Sequence, residues 1–177
     1  ALQQYAKETS KEECFKKYGQ FIKDVINFIQ NNKHPNLKLE ENGLLYTDGK
    51  DKAVTWMNST ANGRPVVPRT GYIVEFNALW YNALCFCASL AGIVGEEDSQ
   101  QKLLAQAEQT KQAFLDTFLN EYGYLYDYVD GNMMDWSVRP NMIFAVAFDY
   151  SPLSQDQKKQ VLDICTRELL TPKGLRS

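Results

Sequence analysis

From about Tyr72 to Val94 the chain carries apolar residues on nearly every side of a predicted helix: Ile73, Val74, Phe76, Ala78, Leu79, Trp80, Ala83, Leu84, Phe86, Leu90 and Ile93. A helix apolar all round has to be surrounded by protein. This segment therefore belongs at the centre of the fold, and the rest must cover it. A second stretch, about 138 to 149, has the same character through Ile143, Phe144, Ala145, Val146, Ala147 and Phe148. Pro140 falls near its first turn, where proline is tolerated.

The other predicted helices are one-sided. Residues 11 to 32 place Phe15, Tyr18, Phe21, Ile22, Val25, Ile26 and Ile29 at helical spacing, behind a capping box formed by Ser10 and Glu13. Residues of about 99 to 120, capped by Asp98 or Ser99, set Leu103, Leu104, Ala107, Phe114, Leu115 and Phe118 against a polar back. The segment of about 154 to 170 opens with Ser154 and Gln157. Glycine-led pieces separate these helices: Gly43-Leu44-Leu45-Tyr46, Gly123-Tyr124-Leu125-Tyr126, and a third at Gly174-Leu175. Amphipathic helix, glycine-led loop and all-apolar helix thus alternate at uneven spacing. The alternation predicts an all-α fold of two concentric layers: a partial α/α toroid of five helices, with the loops before the two inner helices at one rim. An ordinary helical bundle is the competing architecture.

Composition narrows the function. The 177 residues suit one domain, 1–177, and a 44% hydrophobic, 23% charged chain is ordinary for a globular protein. A net charge of −3 lacks the basic stripe that nucleic-acid binding needs. No run of 18 apolar residues predicts a membrane span, and the start, ALQQYAKETSKEE, carries no signal-peptide pattern. Cys14, Cys85, Cys87 and Cys165 form no CxxC pair and read as buried small hydrophobes of a reducing compartment, so a cytoplasmic location is expected. The single histidine, His34, stands beside Pro35 with nothing near it that suggests a nucleophilic mechanism. Asp127, Asp130 and Asp135 lack calcium-loop spacing. No metal and no cofactor is expected.

The chemistry-bearing residues gather at the predicted rim. Trp56, Met57 and Asn58 open a long loop through Asn62, Gly63, Arg64, Pro65, Pro68 and Arg69 into the helix that carries Glu75. The second rim segment holds Asp135, Trp136, Arg139 and Asn141. Aromatic faces, planar donors and carboxylates are what sugar rings and hydroxyls require. Each residue has an alternative role. Asn58 suits a substrate ligand, a lost acid or a local backbone cap. Arg69 and Glu75 suit substrate or each other. Trp80 and Tyr81 suit the core. Asp135 belongs to a crowded acidic loop in which one carboxyl is raised, or to a solvated one. Arg139 and Asn141 suit a hydroxyl or a fastening between the two rims.

Thr55-Trp56-Met57, Pro65-x-x-Pro68-Arg69-x-Gly71 and Val74-Glu75-x-Asn77-Ala78-Leu79-Trp80-Tyr81-Asn82-Ala83-Leu84 resemble the C-terminal domain of glycogen debranching enzymes. So do Arg139-Pro140-Asn141, Ser151-Pro152-Leu153 and Leu169-Leu170-Thr171-Pro172-x-Gly174-Leu175-Arg176. The resemblance implies an (α/α)6 toroid with amylo-α-1,6-glucosidase activity, acting on glycogen or an α-glucan oligosaccharide with inversion. That reaction needs a general acid and a carboxylate base about 6.5–9.5 Å apart. The family commonly reads Thr-Trp-Met-Asp, with the aspartate as its acid; here Asn58 stands at that position. Asp135 and Glu75 are the other catalytic candidates. Trp56, Arg69, Trp136, Arg139 and Asn141 are the substrate-binding candidates. The resemblance also implies that this is the N-terminal-side part of a longer glucosidase domain, with the remainder of the same polypeptide as its partner. A glucan-binding module without catalysis and a helical interaction scaffold are the rival readings.

Overall fold

The structure, a computed structural model, describes residues 1–177. It opens with a short helix α1 (Leu2–Glu8) that no sequence signal announced. Helix α2 (Lys11–Gln30) follows, with the Ser10 hydroxyl accepting from the Glu13 amide at 3.0 Å. This bond satisfies one of the donors that a helix start leaves unpaired. Cys14, Ile22 and Ile26 of α2 are buried, while Phe21, Val25 and Phe28 face outward. Its apolar band is therefore wider than the face the fold covers.

The expected all-α architecture is corrected by what comes next. Strands β1 (Lys38–Leu39), β2 (Leu45–Thr47), β5 (Gly71–Ile73), β6 (Tyr128–Asp130) and β7 (Met133–Met134) form one antiparallel sheet in the order β1-β2-β5-β6-β7. Between β2 and β5 lies a hairpin of β3 (Thr60–Ala61) and β4 (Arg64–Pro65). A last hairpin pairs β8 (Leu170–Thr171) with β9 (Gly174–Leu175). The fold is mixed α/β, not an all-α partial toroid of five helices. The physical reason is strand length. Strands of two or three residues are too short to print an alternating pattern on a sequence, and the pairs that hold the sheet together, β2 with β5 and β5 with β6, join segments far apart in the chain.

Gly71 is the hinge of the sheet. Its φ is +97°, and a Cβ placed there would collide with the carbonyl oxygen of Val129 on the neighbouring strand. Only glycine allows β5 to approach β6 so closely. Asn77 then locks the sheet to the central helix. Its Oδ1 accepts from the Leu45 amide at 2.7 Å, and its Nδ2 donates to the carbonyls of Leu45 and Ile73, each at 3.0 Å.

The central helix α3 (Val74–Ile93) starts directly after β5, and its first amide donates to the Asp127 carbonyl at 3.2 Å. As expected for a helix apolar all round, it serves two cores. Val74 and Ala78 pack with Leu44, Phe114, Phe118, Leu125 and Val161, whereas Trp80, Leu84 and Leu90 pack with Cys14, Ile22 and Ile26. Helix α4 (Glu97–Phe118) runs back along α3. It begins a little before the expected Asp98 or Ser99 cap, with Glu96 at the cap position and no side-chain cap bond.

The predicted inner helix of 138 to 149 also needs correction. A 3₁₀ turn, Pro140–Met142, leads into a single short helix α5 (Ile143–Ala147). Met142 and Ala145 are buried, but Phe144 is exposed. Apolar composition alone does not make a helix long. Phe148 has already turned to extended backbone, and Pro152 follows shortly after. Helix α6 (Gln155–Leu169) carries the full reciprocal cap: Gln157 N donates to Ser154 Oγ at 3.2 Å, and Ser154 N donates to Gln157 Oε1 at 2.8 Å.

Candidate functional site

The pairing of β5 with β6 sets Tyr72 opposite Val129 and Ile73 opposite Tyr128. Continued one step, the antiparallel register sets Asp127 opposite Val74, whose amide donates to its carbonyl. Arg69, which precedes β5, reaches Asp127 with its long side chain, far away in sequence. Glu75, on the first turn of α3, meets the same guanidinium from the other side.

Arg69 is 2% exposed and Asp127 wholly buried. The guanidinium grips Glu75 with two bonds, Nη1 to Oε1 at 2.5 Å and Nη2 to Oε2 at 2.7 Å. It grips Asp127 with two more, Nε to Oδ2 at 2.8 Å and Nη2 to Oδ1 at 3.0 Å. The planar fork of arginine makes such double recognition possible. Arg139 Nε approaches Asp127 Oδ2 at 3.4 Å but is not aligned as a hydrogen bond, so the contact is one of charge. Two cations and two anions therefore share the buried cluster, and it carries no net charge. Burial pushes the Asp127 carboxyl above its ordinary value, while the Arg69 charge and the Asn141 amide pull it back. Burial alone would lower Arg69, yet the bonded Glu75 and Asp127 carboxylates hold it above its usual range. The carboxylate form of Asp127 is the one these donors fit.

The cluster reaches the surface through Asn141 and Trp56. Asn141 is buried, on the 3₁₀ turn. Its Nδ2 donates to Asp127 Oδ1 at 2.6 Å, and its Oδ1 accepts from the Trp56 indole Nε1 at 2.8 Å. The Trp56 residue itself is 53% exposed. About half of this residue's surface is thus open while its N–H is tethered. Asn58, two residues on, is exposed on the same loop.

The second rim segment follows β7. Asp135 is half-buried, and its Oδ1 accepts from the Ser137 amide at 2.7 Å. Its main chain is fixed to the strand by bonds to Asp127 and Tyr128, each at 3.0 Å. Trp136 is half-exposed and stands edge-on to Tyr126 and Tyr122, at centroid distances of 4.7 and 6.0 Å. Arg139 is partly exposed beside Asp127.

The structure therefore gathers Trp56, Arg69, Glu75, Arg139 and Asn141 into one connected group. No side-chain bond ties Asn58, Asp135 or Trp136 to it; Asp135 meets Asp127 through its main chain alone. Arg69 and Glu75 pair with each other, one of the two roles the sequence left open. Trp80 is a core residue. Asp127 was legible only as one acid of a crowded loop, and no local pattern marks it as the partner of Arg69. The three loop aspartates diverge: Asp127 turns to Arg69, Asp130 accepts from Tyr46 Oη, and Asp135 turns to Ser137. No three His, Cys, Asp or Glu side chains converge to hold a metal.

Comparison with known proteins bears on this arrangement. No curated protein matches the chain. Among solved structures, the alpha-L-rhamnosidase from Dictyoglumus thermophilum is similar, with a TM-score of 0.54 and 14% identity over 89% of this chain. At that identity the likeness is one of fold alone, and this chain spans 16% of the rhamnosidase chain. The amylo-alpha-1,6-glucosidase family matches residues 1–177, the entire chain. By sequence over its whole length, the chain belongs to the amylo-alpha-1,6-glucosidase family, a family of glucan-directed glycoside hydrolases.

Proposed function

We propose that this chain is part of a longer debranching enzyme that releases α-1,6-linked glucose at glucan branch points, with inversion. The family match over the whole chain carries this reading. The surface of the site supports it: an exposed Trp56 to stack on a sugar, with the partly exposed Arg139 beside the buried cluster and a second exposed aromatic, Trp136, on the neighbouring loop.

Inverting hydrolysis requires an acid to protonate the leaving oxygen and a base to activate water. Asn58 stands where the acid is expected. An amide can hydrogen-bond the glycosidic oxygen but holds no titratable proton. Glu75 has both oxygens occupied by Arg69, so its proposed role is to hold that guanidinium. Asp135 keeps Oδ2 free of protein bonds while Ser137 fixes Oδ1, and it is the carboxyl we assign to proton transfer. The other carboxylate would come from the remainder of the polypeptide. The four cysteines are unpaired, which supports work in the reducing cytoplasm.

The test uses the full-length protein and a 6-O-α-glucosyl maltooligosaccharide. Glucose should be released, and Asp135→Asn should lower turnover by about 10² to 10⁴-fold, the usual worth of general acid–base catalysis. Unchanged turnover would remove Asp135 from the mechanism. Asn58 favours a second reading, a glucan-binding module without catalysis. Oligosaccharide binding without hydrolysis, with activity appearing only in Asn58→Asp, would establish that one instead.

A further inference from the structure

Asn141 has no polar atom left for a ligand along the direction of its bonds. Its amide nitrogen points to Asp127 Oδ1 at 2.6 Å and, more weakly, to the Met57 sulfur at 3.5 Å. Its oxygen is taken by the Trp56 indole at 2.8 Å. The residue is 1% exposed. An amide can be turned either way round in its pocket, and something must choose. A carboxylate accepts and cannot donate, so Asp127 draws the NH₂ end toward itself and leaves the oxygen facing Trp56. Asp127 is in turn held by Arg69, and Arg69 by Glu75 at the start of the central helix. The exposed aromatic, on the loop between β2 and β3, is thereby anchored, through four side chains, to the most buried helix of the molecule.

We infer that Asp127 and Asn141 are positioning residues: they orient the Trp56 ring as a sugar-stacking platform by fixing its indole N–H. The inference rests on the glucan reading above. A ring free to turn would have to be ordered when sugar binds, whereas a tethered ring has lost that freedom beforehand. The tether acts at the ring's edge, through Nε1, and leaves about half of the residue exposed. Neither Asp127 nor Asn141 needs to touch the substrate.

The experiment separates the tether from the ring. In the full-length protein, Trp56 is replaced by 3-benzothienylalanine, which keeps the bicyclic ring and puts sulfur in place of N–H. Asn141→Leu is made in both backgrounds, and binding of a 6-O-α-glucosyl maltooligosaccharide is measured by calorimetry. Loss of the indole bond should weaken binding by about 3- to 10-fold, the range expected for one hydrogen bond. Asn141→Leu should do the same in the natural background and add nothing once the N–H is gone. Equal weakening by Asn141→Leu in both backgrounds, or full affinity with benzothienylalanine, overturns the inference. The benzothienylalanine protein alters no buried side chain, so it decides the matter even if Asn141→Leu does not fold. ¹⁹F NMR of 5-fluorotryptophan-labelled protein gives a readout independent of glucan. The Trp56 line, assigned by its loss in Trp56→Phe, should move in Asn141→Leu. A line that stays in place overturns the tether. A line that moves in a protein that binds no glucan supports the tether and overturns the glucan reading.

Discussion

Arg69 shows how much one buried residue decides. It has two carboxylate partners and almost no contact with water. Removing it would strand Glu75 and Asp127 as buried charges, and breaking such a cluster usually costs about 3–5 kcal/mol. Arg69→Met is therefore expected to lose about that much stability in urea unfolding. Arg69→Lys should recover little, because an ammonium cannot present a planar fork to two carboxylates. Tyr46 offers a titration at the same scale. Burial and the hydrogen bond to Asp130, 3.0 Å long, push its hydroxyl up to about 12. A raised folded value means that the native state keeps this proton after the unfolded chain has lost it. Its contribution is thus fully present below the ordinary value of 10.0 and is lost as pH rises toward about 12. Melting temperatures at about pH 9 and 11 should fall less for Tyr46→Phe than for the unaltered chain. The thiols make a further expectation. Burial pushes Cys87 up to about 12 and Cys165 to about 11. A thiol reagent near neutral pH should leave both unmodified until the protein is unfolded.

At the scale of elements, the sheet depends on a glycine and on an amide. Gly71→Ala would strain a backbone at φ +97° and drive a methyl group against Val129. The expected result is loss of more than about 1–3 kcal/mol, the cost of strain alone, together with loosening of the Arg69–Asp127 contact that spans the β5–β6 pair. Amide exchange across Tyr72 and Val129 would report it, and unchanged protection there would contradict this account of the glycine. The helices were legible where their caps were: Ser10 for α2 and Ser154 with Gln157 for α6. The strands were not, since two or three residues carry no period. Gly43-Leu44-Leu45-Tyr46 reads as a short extended piece, but nothing in it names Gly71–Ile73 as its neighbour. The segment at 138 to 149 misled for the opposite reason. Its apolar run is continuous, yet it is broken by a proline-started turn and an early return to extended backbone.

At the scale of the whole molecule, α3 joins two apolar cores that would otherwise be separate. Phe114 belongs to one and Ile26 to the other. Phe114→Ala should cost about 3–5 kcal/mol, and Ile26→Ala about 2–5. Both should lower the midpoint of a single unfolding transition, because neither core can lose its packing without loosening the shared helix. Two separate transitions in calorimetry would mean that α3 does not couple them.

What the sequence determined by itself is what short-range chemistry records. Side chains recurring at helical spacing identify α2, α4 and α6, and an apolar surface all round places α3 inside, because these properties belong to neighbours in the chain. The motif blocks around Trp56, Arg69 and Arg139 likewise announce the glucosidase family without a fold. Only the tertiary structure decided that Arg69 would meet Asp127, that Asn141 would turn its oxygen to Trp56, and that Phe21 would face outward while Ile22 is buried. Each of these depends on strand register or on which face a neighbouring element covers. Such pairings are settled by burial and hydrogen-bond satisfaction across long stretches of chain, and no local pattern encodes them.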